Sequence, residues 1–221
     1  MANARETGRT LVQRVAEPGG GALRQIVTLA IEGVGSVPGA KATAARHLER
    51  GHDVDAAVDS LVRTHVALAS AQGFATSLGG LATALVALPA NITGVAVLQV
   101  RLAATIAHLR GYDIDDPRVR TALLLCLLGH TPSDGGETKA ALPRPLVVAT
   151  APAFDGSLDR RVSEVVLGDL AGRIGGKHLA VQLLRRVPLL GGPVGGAVDG
   201  YLTYAIGSFV KEELVTRRML R

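Results

Sequence analysis

Arg101, Thr105 and His108 fall at i, i+4 and i+7 of a segment otherwise built mostly from Val, Leu, Ala and Ile, so a helix would carry all three on one stripe. A guanidinium between Val100 and Leu102 must reach water, a carboxylate or an anionic ligand, because an unpaired buried charge is strongly destabilising. Asp199, in the equally apolar setting GGAVDGYLTYAIG, and Glu32, ending TLAIEG, are the expected ion-pair partners of Arg101. A lipid-headgroup or other ligand contact is the alternative. His65 shares a helical face with Val58, Leu61 and Leu68, the usual place of a hydrogen-bonded core histidine, with a ligand or proton-transfer role as the alternative.

An enzyme or metal protein would need Glu32, His65, His108 and Asp113 to converge, but neither HExxH nor ExxH spacing is present. Asp113, Asp115 and Asp116 suggest calcium, yet a loop opening at Asp113 needs Gly and Glu where Arg118 and Leu124 stand. Helix capping ahead of Pro117 accounts for them better. GRIGGKH has Ala171 where a phosphate loop needs its first glycine and His178 where Ser or Thr would hold magnesium. GVGSVPG from Gly33 has the wrong closing spacing, and Ser77 in TSLGG lacks the GxSxG elbow. No catalytic residue, cofactor or metal is therefore expected.

The elements that must position these residues are helical. Period-2 alternation is scarce, whereas Ala/Leu/Val segments with helix punctuation recur along the 221 residues. Hydrophobic residues make up 48% and aromatics only 3%, with no Trp, so small and aliphatic side chains must build a close-packed helical core. The net charge of +5 and pI near 9.9 are mildly basic. Without aromatic platforms or a dense basic stripe, nucleic acid is not an expected partner, while an anionic lipid surface asks only for a few basic residues beside apolar surface. Cys126 stands alone in an apolar run and reads as a small buried hydrophobe. Arg5, Glu6, Arg9, Arg14 and Glu17 leave no apolar leader, so a cytoplasmic location is expected.

Residues 1–21 read as an N-terminal amphipathic segment and 22–221 as one helical domain with a loop at about 131–157. Helices are predicted at about Arg5–Ala16, Ala22–Glu32, Pro38–Arg50, Val54–Gln72 with Asp53 as N-cap, Leu78–Leu88, Pro89–Arg110, Pro117–Gly129, Leu158–Arg173, Lys177–Arg186 and Val194–Leu220. Thr64 to Val100 holds no Asp, Glu, Lys or Arg, but Gly73, Gly79, Gly80 and Pro89 interrupt it. Pro89–Arg110 would extend about 33 Å, a bilayer-core length. Gly79-Gly80 leads towards Pro89, and Gly191-Gly192-Pro193 with Gly195-Gly196 leads into Ala197–Val210. The expected architecture is all-α, a compact bundle with two glycine-bent apolar helical hairpins facing each other.

At GFATSLGG, LPANITGVAVLQVRLAATIAHLRGYD and RTALLLCLLG, and again at VPLLGGPVGGAVDGYLTYAIG, the chain resembles the EcsC family from about Ala22 to about Val210. The matching positions are Gly73, Phe74, Pro89, Asn91, Gln99, Arg101, Gly111, Tyr112, Asp113, Pro188 and Asp199. The family takes its name from a protein encoded beside an ABC transporter. The resemblance implies a hydrophobic helical bacterial protein, associated with a membrane or with a membrane protein such as an ABC transporter, and carries no catalytic mechanism.

The expected function is peripheral, non-enzymatic association with the inner face of a membrane. Phe74, Leu78, Leu81, Leu189 and Leu190 would enter the lipid boundary while Arg217 and Arg218 of the basic C-terminus meet anionic phosphates. A soluble adaptor or homo-oligomer burying the same surface against protein is the second reading, and an enzyme or metal protein using Glu32, His65 and His108 the third.

Overall fold

The computed structural model describes residues 21–35, 37–51, 53–78, 80–129, 141–184 and 191–217, and within its helices the description leaves aside the side chains of residues 22, 76–78, 80–93, 171, 173–184 and 191. The predicted N-terminal helix, residues 131–140 of the predicted loop and Leu189, Leu190 and Arg218 lie outside the described residues, as do the side chains of Leu78 and Leu81.

Eight helices and one short ribbon make up the described chain: α1 Gly21–Glu32, β1 Gly33–Val34, β2 Val37–Pro38, α2 Ala40–Gly51, α3 Val54–Leu78, α4 Gly80–Leu109, α5 Pro117–Leu128, α6 Pro145–Ala149, α7 Gly156–Leu184 and α8 Gly191–Glu213. The strands pair antiparallel, Gly33 with Pro38 and Val34 with Val37. The fold is all-α, as composition and periodicity require.

Local chemistry sets several boundaries. Asp53 accepts from the backbone amides of Asp55 and Ala56 and so starts α3. Asp116 caps α5 through the Arg118 amide at 2.8 Å, with Pro117 in the first turn, where its missing N–H is harmless. Gly33 and Gly111 hold φ of 89° and 86°, which ends α1 and turns the chain out of α4.

The core forms around the C-terminal half of α4, which packs against α1, α2, α3, α5, α7 and α8. Val95, Ala96 and every residue from Leu98 to Ala107 are buried, so this half is enclosed on all sides by protein. Leu123 to Leu128 of α5 are buried in the same way, Cys126 among them.

Several boundaries differ from expectation. α3 passes through Gly73 to Leu78, and α4 runs from Gly80 through Pro89, so the predicted break at Gly73 and restart at Pro89 are absent. α3 ends at Leu78 and α4 begins at Gly80, on either side of Gly79, which lies outside the described residues. Gly191, Gly192, Gly195 and Gly196 lie inside the first turns of α8 rather than in a bend, and Gly175 and Gly176 do not divide α7.

The reason α3 needs Gly73 is its closeness to α8. A Cβ on Gly73 would meet the Gly195 carbonyl oxygen at 2.5 Å and the Asp199 carboxylate at 2.6 Å. Gly200 sits against Ser70, Gly207 against Val62, and Lys211 pairs with Asp59, so the two helices run antiparallel with backbones nearly touching. This is the most extensive helix–helix interface among the described residues.

Candidate functional site

The expected site residues separate into a buried polar seam and an exposed apolar face. On the seam, Arg101 is 7% exposed and His65 1% exposed. Nη1 of Arg101 donates to the Pro38 carbonyl at 3.4 Å, and burial alone pulls its pKa below the usual arginine value. The expected ion pair is corrected here: Arg101 turns towards the β-ribbon, Asp199 towards Gly73 on α3, and Glu32 lies exposed at the end of α1. Two residues apart on a helix face different ways, so Gln99 points to α8, its amide 3.4 Å from the Thr203 hydroxyl, while Arg101 reaches the β-ribbon. Thr105 closes the turn, donating 2.7 Å to the Arg101 carbonyl.

His65 places Nδ1 3.0 Å from the Leu61 carbonyl oxygen. Burial lowers its pKa to about 4 against the opposing effect of that bond, and the charges of Arg101 and His47 push the same way. The imidazole is therefore neutral near pH 7. His47 of α2 is also buried, with Nδ1 3.2 Å from the Ser60 hydroxyl, and burial and Arg50 lower its pKa. Sequence reasoning missed it. The signal was its place on the inward stripe Ala40, Thr43, Ala44, His47.

His108 and Asp113 are exposed, so neither joins His65. Among the described residues no three His, Cys, Asp or Glu side chains come together as a metal set. The aspartates behave as capping and pairing groups: Asp113 accepts from the Asp115 amide, and Asp115 pairs with Lys41 and Arg120, which holds its carboxyl below the usual range.

Arg110 and Tyr112 fasten the end of α8. The Arg110 guanidinium donates to the Lys211 carbonyl and, at 2.7 Å, to that of Leu214, while the Tyr112 hydroxyl donates 2.8 Å to the Val215 carbonyl. These are carbonyls that a helix C-terminus leaves without partners. Burial of Glu213 is offset by Arg144, whose Nη2 lies 2.7 Å from its carboxylate. Arg217 is exposed. The predicted basic tail is thus partly a docked helix end, with Lys211 engaged by Asp59.

The exposed face lies on the outer side of the α3–α8 pair. Phe74 and Leu68 of α3 are exposed, as are Val194, Val198, Tyr201 and Tyr204 of α8, Tyr201 at 71%. Of these, sequence reasoning named only Phe74 for a surface, and it placed Leu68, exposed here, on the same face as the buried His65. The spacing of Val194, Val198 and Tyr201, at i, i+4 and i+7, is the signal that marks their common stripe. From Thr64 to Leu78 α3 carries no charge, and from Gly191 to Val210 α8 carries only Asp199, which is buried. Arg63, Asp59, Lys211 and Glu212 cluster at the far end of the pair. Among the described residues no helix is long and apolar enough to cross a membrane.

An all-α bundle with a closely packed glycine crossing, a buried arginine seam and an uncharged outer face is the class that these features define. The sequence model of the EcsC protein family matches residues 23–219, nearly the whole chain, and the chain belongs to that family. Searches of curated proteins and of solved structures returned no match.

Proposed function

We propose that this EcsC-family protein is a non-enzymatic, peripheral membrane protein that docks the outer face of α3 and α8 on an anionic lipid surface, at the inner face of a membrane. The observation that carries this reading is the exposure of Phe74, Leu68, Val194, Val198, Tyr201 and Tyr204 on a pair of helices whose outer face holds no charge along this stretch. Large apolar side chains left in water mark an interaction site.

Lipid fits this face through the order of its chemistry. Apolar residues stand at the Phe74–Val194 end, the amphipathic Tyr201 and Tyr204 come next, and Arg63 and Lys211 follow. Tyrosines at a boundary and basic residues beyond it suit the headgroup layer and its phosphates. From Gly191 to Tyr201 is about 15 Å at 1.5 Å per residue, enough to reach into one leaflet and too short to cross two.

Flotation with liposomes tests the reading. The purified protein should rise with vesicles containing anionic lipid at low salt and lose part of that binding as salt screens the phosphates. Protein that stays at the bottom at every salt concentration refutes lipid affinity. A stable dimer or complex in light scattering without lipid dependence would assign the face to protein instead.

A further inference from the structure

The register of α3 against α4 sets a buried donor and a buried acceptor at the same height. Gly94 lies against Gln72, and seven residues, about two turns, along each antiparallel helix bring Arg101 opposite His65. The Leu61 carbonyl oxygen beside Nδ1 of His65 only accepts, so the ring proton belongs on Nδ1 and Nε2 offers a lone pair. Nε2 of His65 and Nε–H of Arg101 are both buried, and neither has a hydrogen-bond partner among the described residues.

The surroundings are basic. His65 senses the charges of Arg101 from α4 and His47 from α2, and His47 senses Arg50. From α8, Asp199 stands at Gly73, eight residues or about 12 Å along α3 from His65, and Glu32 is exposed. No described carboxylate lies at ion-pair distance from a guanidinium that cannot shed its proton.

We propose that Arg101 and His65 form a binding site for a small oxyanion that still carries a hydroxyl, of the hydrogenphosphate or bicarbonate type. A deprotonated oxygen of this anion accepts from Arg101 Nε–H and supplies the missing negative charge, and its hydroxyl donates to His65 Nε2. Water would satisfy both hydrogen bonds but leave the charge uncompensated. Sulfate and acetate bring charge but no O–H at neutral pH, and would set an acceptor against the His65 lone pair. The Nη1 contact with half-buried Pro38 marks the ribbon side as the entry.

Thermal unfolding at pH 7.5 and constant ionic strength, with chloride exchanged for inorganic phosphate or for sulfate, tests the site. At phosphate about ten times Kd the midpoint should rise by about 3–6 °C, with no such rise in sulfate and none for Arg101→Gln. Should Arg101→Gln fail to fold, nitrogen NMR of the His65 side chain in the unmodified protein replaces it: phosphate, and not sulfate, should move the Nε2 resonance. Equal effects of the two anions, no effect of either, a phosphate effect retained in Arg101→Gln, or an unmoved Nε2 resonance overturns the proposal. The site lies buried between α3 and α4 and is tested with a free anion, so a failed flotation leaves this test intact.

Discussion

His65 takes a proton only well below neutrality, because its imidazole is sealed between α3 and α4 beside Arg101. In the unfolded chain the same group titrates near its ordinary 6.5, so between that value and about 4 the unfolded state binds more protons. The folded state is therefore fully stable above pH 6.5 and loses up to about 3 kcal/mol on acidification to pH 4. Urea unfolding at pH 7.5 and 4.5 should show this loss, and His65→Gln should remove most of it, the remainder coming from His47, whose pKa is lowered in the same direction. Asp59, Asp115, Asp116 and Asp155, all held below the usual carboxylate range, lose their contribution below about pH 3.8 and do not confuse the window. Tyr112→Phe removes the bond to the Val215 carbonyl and should cost about 1 kcal/mol in the same assay. At this scale the caps were legible, since Asp53 and Asp116 act on amides two or three residues away. The partner of Arg101 was not. Its choice of Pro38 over Asp199 depends on which neighbour each face of α4 meets, and that is decided by packing over 63 residues of separation.

Helix identity was readable in the chain because small and aliphatic residues recur without period-2 alternation, but helix length was misjudged at its glycines. Gly73 looked like a stop, yet it is the residue that lets α3 meet the α8 backbone, and the packing gained there outweighs its low helix propensity. Gly73→Val should wedge the helices apart and destabilise the protein by about 1–3 kcal/mol in urea unfolding. Gly168, in α7, has no atom within 4 Å of an added Cβ, so Gly168→Ala should be neutral or stabilise by up to about 1 kcal/mol. If both substitutions have equal effects, the close crossing is not what Gly73 serves.

The whole molecule is graded along the α3–α8 axis, uncharged from Phe74 and Val194 to the tyrosines and charged from Arg63 and Lys211 onward. The charge-free run was visible in sequence, but not its division. The C-terminal half of α4 became the enclosed core, and the outer face of α3 stayed in contact with solvent. The inner and outer faces of a helix share one composition when both core and docking surface are apolar, so only the packing separates them. Because the chain contains no Trp, a single introduced indole is a clean probe of this grading. Phe74→Trp should shift its emission to shorter wavelength with anionic vesicles and be quenched by brominated acyl chains, while Val147→Trp, at an exposed position of α6, should remain unchanged. An unshifted, unquenched Phe74→Trp at low salt would contradict docking through this face.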